Sequence, residues 1–281
     1  MQTLNFAKGH GTLNDFVILV DPDDRMPIST ELVRWLCDRR AGIGGDGMLR
    51  AVRAGLVSDW HGDGDLWFMD YRNADGSVAE MCGNGLRVFV RHLLDQGLVG
   101  PEPMDIATRA GLRTAWPQPD GNIRISMGPA KVSPQPTWIE HGGQRHEART
   151  VDVGNPHAVV VLDDLTELAR LDLDQAPGFD QEVYPHGVNV EFIVVRGVDD
   201  LVMRVHERGV GETKSCGTGV VAVAAAHLAS RGQQAGSVQV SVPGGRLQVD
   251  CSDEQCFLAG EAVVIAQGSV VVPPDGVVLP G

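Results

Sequence analysis

Two cysteines stand in nearly the same short phrase, Glu80-Met81-Cys82-Gly83-Asn84-Gly85 and Lys214-Ser215-Cys216-Gly217-Thr218-Gly219. A thiol is an acid–base group, and glycines beside it let a ligand approach the backbone closely. Each phrase leads into an apolar segment long enough for a helix, and each segment closes at a glycine, Gly97 or Gly232. Glycine just past a helix end is the usual left-handed stop. The expected device is thus a thiol, a tight glycine turn and a helix N-terminus, used twice. Such an N-terminus carries partial positive charge and N–H groups outside its own ladder. Both thiols are therefore expected to have a lowered pKa, and a carboxylate between two such helix ends would be held by both.

Other polar residues sit where strands or turns end. Asn14, Asn73 and Asn155 are each open to two readings, turn chemistry or a site role. Asn189, between Val188 and Val190, is harder to dismiss, because an amide in a buried strand needs partners. Glu207 and Arg208 lie just upstream of Cys216, which favours a site role over a surface ion pair. Cys37 falls on the apolar face of a helix and reads as a small buried hydrophobe. Metal binding finds no support: Cys251 and Cys256 have no second ligand pair and no nearby histidine. No Gly-x-Gly-x-x-Gly after a strand marks a dinucleotide site.

The elements that must position these groups can be read coarsely. Strands are expected over 4–8, 15–20, 66–71, 123–127, 157–162, 188–195 and 201–206, with a helix capped at Ser29-Thr30. Strands over 238–242 and 247–249 pair across Pro243-Gly244-Gly245, and two further apolar segments close the chain. The segment Val220-Val221-Ala222-Val223-Ala224-Ala225-Ala226 is apolar nearly all round, so its helix belongs at the centre of a domain. Each half is then several strands wrapped on one inner helix with a cysteine at its start, an internal repeat within an α+β fold. The Pro-rich stretch 129–136 reads as a linker, giving domains 1–128 with 268–281, and 129–267.

Composition narrows the function. The 281 residues suit two domains, and 43% hydrophobic content implies packed cores. A net charge of −14 argues against nucleic acid and anionic membranes as partners. The first residues show no signal pattern, and no apolar run approaches a membrane span. Five irregularly spaced cysteines do not resemble a disulfide framework. A cytoplasmic protein with reduced thiols is expected.

Several phrases together resemble the diaminopimelate epimerase family. They are Asn73-Ala74-Asp75-Gly76-Ser77 with Met81-Cys82-Gly83-Asn84-Gly85-Leu86-Arg87, then Gly154-Asn155-Pro156-His157, and Glu207-Arg208-Gly209-Val210-Gly211-Glu212-Thr213 with Cys216-Gly217-Thr218-Gly219. The resemblance implies a cofactor-independent two-base isomerase that interconverts LL- and meso-diaminopimelate, a step toward lysine and peptidoglycan. It implies two similar barrel-like domains, each around a central helix, and a homodimer. By the family's pattern Cys82 and Cys216 are the acid–base pair, with His157 and Glu207 assisting at the reacting centre. Gly83, Asn84, Gly217 and Thr218 match the groups that hold the reacting carboxylate. Asn14, Asn73, Asn155, Asn189, Glu207 and Arg208 match further substrate contacts. Gly45-Asp46-Gly47 departs from the pattern, since Gly47 has no amide where many relatives have glutamine. Proline racemase and hydroxyproline epimerase share the two-cysteine arrangement and form the alternative. A thiol hydrolase using Cys216 with His157, or a redox or binding module, would leave the matched phrases unexplained.

Overall fold

The computed structural model of the chain describes residues 3–273. It divides into two compact units, Met1–Ile125 with Glu261–Gly281, and Ser126–Gly260. The part of the expected first domain at 274–281, with the last of the closing apolar segments, lies outside the described residues.

In the first unit the chain forms β1 (Thr3–Gly11), β2 (Asn14–Val20), α1 (Thr30–Cys37), β3 (Gly47–Arg53), β4 (Trp67–Asn73), α2 (Gly83–Asp95), β5 (Met104–Thr108), β6 (Gly111–Pro117) and β7 (Ile123–Gly128). The last strand of the chain, Val263–Val271, pairs antiparallel with β1 along its length. Successive neighbours from that strand through β1 to β7 run antiparallel, antiparallel, parallel, antiparallel, parallel, antiparallel, antiparallel. The inner helix α2 touches β1 to β4 and the final strand.

The second unit holds β8 (Lys131–His141), β9 (Gln144–Asp152), β10 (Pro156–Val161), α3 (Leu165–Arg170), β11 (Gly178–Phe179), β12 (Asn189–Gly197), β13 (Asp200–Glu207), β14 (Gly211–Thr213), α4 (Gly217–Ser230), β15 (Gly236–Val242), β16 (Gly245–Cys251) and β17 (Cys256–Gly260); the strand at Val263–Val271 is β18. The ladder β8–β9–β10–β12–β13–β15–β16–β17 repeats the same sequence of pairings, two antiparallel, one parallel, one antiparallel, one parallel, two antiparallel. The short and long helices occupy corresponding places in both ladders. The internal repeat is therefore one topology used twice. In the second copy α4 touches strands at both ends of the ladder, β8 and β17, as a sheet wrapped round its helix requires.

Local rules explain the helices. Ser29 caps α1 by accepting from the Leu32 N–H at 3.1 Å. Both long helices end in a left-handed glycine, with Gly97 at φ 64° and Gly232 at φ 70°. The closing bonds are Leu98 N–H to Leu93 O and Gln233 N–H to Leu228 O, each 2.9 Å. Every residue of α4 from Val220 to Leu228 is buried, as its sequence demands. Cys37 is buried on α1, and its thiol is pushed up to about 12 chiefly by that burial.

Two expectations need correcting. The Pro-rich stretch is not a linker, because β8 runs through it with an irregularity between Val132 and Pro136. Proline lacks the ladder donor, so a strand tolerates it at such a break, and Arg149 Nη1 donates there to Pro134 O at 2.8 Å. The five thiols are not all reduced either. Cys251 and Cys256 face each other directly in the β16–β17 pair, Cα to Cα 4.1 Å, and are joined in a disulfide. Among the described residues no helix is long and apolar enough to cross a membrane.

Candidate active site

Each unit places one cysteine at the N-cap of its inner helix, Cys82 before α2 and Cys216 before α4. Both have extended backbone, so the chain enters each helix by a sharp change of direction that the following glycines permit. A Cβ on Gly219 would fall 2.6 Å from Glu191 Oε1, so glycine there lets a buried carboxylate pack on the first turn of α4.

In the first unit, Cys82 Sγ accepts from the Gly85 N–H at 3.3 Å and lies 3.6 Å from Asn14 Oδ1. Asn14 starts β2 after a tight turn in which Thr12 and Leu13 both have positive φ. Its Oδ1 also accepts from Asn84 Nδ2 at 3.3 Å, and its Nδ2 donates to Asp46 Oδ2 at 2.8 Å. Asp46 thus fixes which end of the Asn14 amide meets the thiol. Asp46 is itself held by Arg39 at 2.9 Å and by the Asp15 N–H at 3.1 Å. Burial alone would raise the Asp15 carboxyl, but hydrogen bonds from Arg39 and Lys8 outweigh it and hold it far below the usual range. Beneath this layer lies Arg87, fully buried, one turn into α2. It donates to Asn84 Oδ1 at 2.6 Å and to Glu261 O at 2.7 Å. Burial pulls its guanidinium down to about 10, and the Cys82 sulfur acts against that shift.

Asn73 fits the turn reading. Its Oδ1 accepts from Tyr71 OH at 2.9 Å and its Nδ2 donates to Ser77 Oγ at 3.0 Å, both within the turn after β4.

In the second unit, His157 on β10 is fully buried. Its Nε2 is 3.0 Å from Asn155 Oδ1, and its Nδ1 is 2.7 Å from Glu191 Oε1. Asn189 accepts from the Arg208 N–H at 2.9 Å and donates to Pro156 O at 3.3 Å, so its amide clips the Arg208 backbone to the start of β10. Arg208 Nη1 donates to His186 O at 3.1 Å. Glu207 accepts from the Thr213 hydroxyl through Oε1, and burial raises its carboxyl.

Cys216 Sγ lies 3.5 Å from Thr218 Oγ1. Its thiol is pushed well above the ordinary range, by burial first and then by the carboxylates of Glu207 and Glu191, with Thr218 opposing. This reverses the expectation of a lowered pKa. A helix N-terminus supplies partial charge, which full burial and two acidic neighbours outweigh. The two half-sites therefore differ in electrostatics: Cys82 has a buried cation beside it, whereas Cys216 has buried acids.

Sequence reasoning missed Glu191, Asp46 and the part played by Arg87. Glu191 could have been found from Asn189-Val190-Glu191, two polar residues on one face of an otherwise apolar strand. Among the described residues no group of His, Cys, Asp and Glu is arranged to hold a metal ion.

Two repeated units, each a sheet wrapped on an inner helix, define a class of fold found also in a known epimerase. A hydroxyproline epimerase from Agrobacterium vitis, with bound trans-4-OH-L-proline, superposes with a TM-score of 0.71 at 16% identity, covering 98% of this chain and 94% of that one. A Bacillus anthracis phenazine biosynthesis protein of the PhzF family gives 0.69 at 16% identity, covering 97% and 100%. At such identities the likeness is one of fold. The chain belongs to the diaminopimelate epimerase family, whose profile matches residues 6–133 and 149–265. Diaminopimelate epimerase of Corynebacterium glutamicum is 49% identical over 275 residues, covering 96% of this chain and 99% of that protein. Those of Thermobifida fusca and Mycobacterium ulcerans are 46% and 45% identical, covering 95% and 94% of this chain and 98% and 96% of theirs.

Proposed function

We propose that this isomerase interconverts LL- and meso-2,6-diaminopimelate, with Cys82 and Cys216 as its two acid–base groups. The observation that carries the proposal is the N-cap cysteine at the head of the buried helix in each repeat. Inverting an α-carbon requires a proton to leave one face and another to arrive at the opposite face. Two thiols supply one group for each face: one takes the proton as thiolate while the other gives its own, and the roles exchange in the reverse direction. The acids beside Cys216 favour its thiol form.

The difficulty is the weak acidity of the α-proton. A ~10⁶-fold acceleration needs about 8 kcal/mol. A positioned base supplies about 10²–10⁴-fold. Donors aimed at the carboxylate contribute roughly 2.7–4 kcal/mol each, the right size for the first turns of α2 and α4 at Gly83, Asn84, Gly217 and Thr218. In this reading His157 and Glu207 assist at the reacting centre. Asn14 orients the Cys82 side, Asn155 the His157 ring, and Asn189 the Arg208 backbone, while the Arg208 guanidinium takes the distal carboxylate. Asn73 serves by shaping its turn. No coenzyme or metal takes part, so activity survives chelation. The dimer, the cytoplasmic location and the place in lysine and peptidoglycan synthesis follow from the family resemblance.

Incubation with LL-diaminopimelate in D₂O tests the proposal. The expected result is deuterium at the α-carbon and an LL and meso mixture, lost in Cys82→Ala and in Cys216→Ala. Absence of exchange in the folded wild type, or faster turnover of proline than of diaminopimelate, overturns it.

A further inference from the structure

Glu191 belongs to none of the cysteine motifs, yet it is wholly enclosed. It follows Asn189 by two residues on β12, so their side chains share a face, while Val190, Phe192 and Val194 join the apolar cluster on the other. Its Oε1 meets His157 Nδ1 at 2.7 Å, and its Oε2 has no hydrogen-bond partner among the described residues. The carboxylate packs on Gly219 in the first turn of α4, the helix that Cys216 caps. An enclosed carboxylate with an idle oxygen is costly to the fold, and an apolar residue would fill the same strand position without that cost. Its presence there therefore points to the site.

The partners of His157 suggest what it does. Both ring nitrogens face oxygens, Glu191 Oε1 on one side and Asn155 Oδ1 on the other. A carboxylate oxygen can only accept, so Glu191 calls for the N–H on Nδ1 and thereby fixes the tautomer and orientation of the ring. The other ionisable groups acting on this cluster are Glu207, Cys216 and the Tyr184 phenol.

We infer that Glu191 is a positioning residue for the proposed epimerisation, holding the His157 ring, and through it Asn155, in place on the Cys216 side. The inference rests on the reading that His157 and Cys216 serve the reaction.

The test combines kinetics with ring-¹⁵N NMR of histidine-labelled protein, His157 being assigned by comparison with His157→Gln. In the wild type Nδ1 of His157 should carry a proton. Glu191→Gln, whose amide can either accept or donate, should weaken that preference and lower kcat by about 10–100-fold, the scale seen when a group that orients a metal-bound histidine is removed, with KM changed by no more than about twofold. Glu191→Asp should recover part of both. A bare Nδ1 on wild-type His157, or an unchanged kcat in Glu191→Gln, overturns the inference. If Glu191→Gln fails to fold, the wild-type spectrum decides alone. If the wild type does not exchange the α-proton of diaminopimelate, the functional reading fails instead, and the spectrum still reports on Glu191.

Discussion

The Asp46 carboxylate takes the Asn14 amide at 2.8 Å and thereby turns the amide oxygen toward Cys82. The Gly45-Asp46-Gly47 segment, which departs from the family's usual pattern, is thus tied to the first half-site. Asp46→Ala should free the Asn14 amide to rotate. A hydrogen bond to a charged group contributes about 1.5–3 kcal/mol, so kcat/KM for LL-diaminopimelate should fall by about tenfold or more. A double-mutant cycle with Asn14→Ala should show strong coupling; additive effects would place Asp46 outside this role.

Alkylation should distinguish the two cysteines. Cys82 is half-buried and has the buried Arg87 for a neighbour, whereas the Cys216 thiol is enclosed and pushed up by burial and acids. The thiolate is the nucleophile, so iodoacetamide at neutral pH should modify Cys82 first. Peptide mapping over time gives the order, and earlier labelling of Cys216 would reject the assigned asymmetry.

Glu207 should leave a signature in stability against pH. Burial raises its carboxyl above the usual glutamate range, against the hydrogen bond from Thr213. A group that holds its proton more tightly when folded stabilises the fold fully below its unfolded pKa and loses that contribution as pH rises through its folded pKa. Glu207→Gln stays neutral throughout. Its Tm relative to wild type should therefore climb as pH rises above about 4.5, while turnover falls. A Tm difference that is flat with pH would contradict the raised carboxyl.

The Cys251–Cys256 disulfide closes a loop with a sequence separation of only 5. A loop so short restricts the unfolded chain little, about 2 kcal/mol in the chain-entropy view. Cys251→Ser with Cys256→Ser should lower unfolding free energy by that much or less and leave kcat/KM within about twofold. Loss of activity in the folded double variant would give the pair a role in the reaction.

The sequence disclosed what local rules control. The N-cap cysteines, the glycine stops at Gly97 and Gly232 and the burial of α4 all follow from neighbours a few residues apart. Long-range pairing was legible only coarsely, in the expectation that 268–281 joins the first domain. Nothing near Val263 says that it pairs with His10, and the prolines of β8 masked a strand whose irregularity absorbs them. At the site the residue types were visible but their partners were not. The resemblance makes Asn73 and Asn189 substrate contacts, and no sequence signal gives the partners within the protein that their amides take. Glu191 was overlooked because one acid in an apolar strand has meaning only beside His157 and Gly219.

The pairing of β1 with β18 also bears on how the protein is made. The second unit is one continuous stretch, Ser126–Gly260, and can assemble its ladder as soon as that stretch has left the ribosome. The first unit cannot. Its opening strand is synthesised before the second unit, but the partner of that strand, Val263–Val271, comes after it. Domains usually fold in order of synthesis, and contacts distant in sequence form slowly. Here the order is inverted: the half that emerges first is completed last, and until then the β1 edge that β18 will cover stands open on the nascent chain.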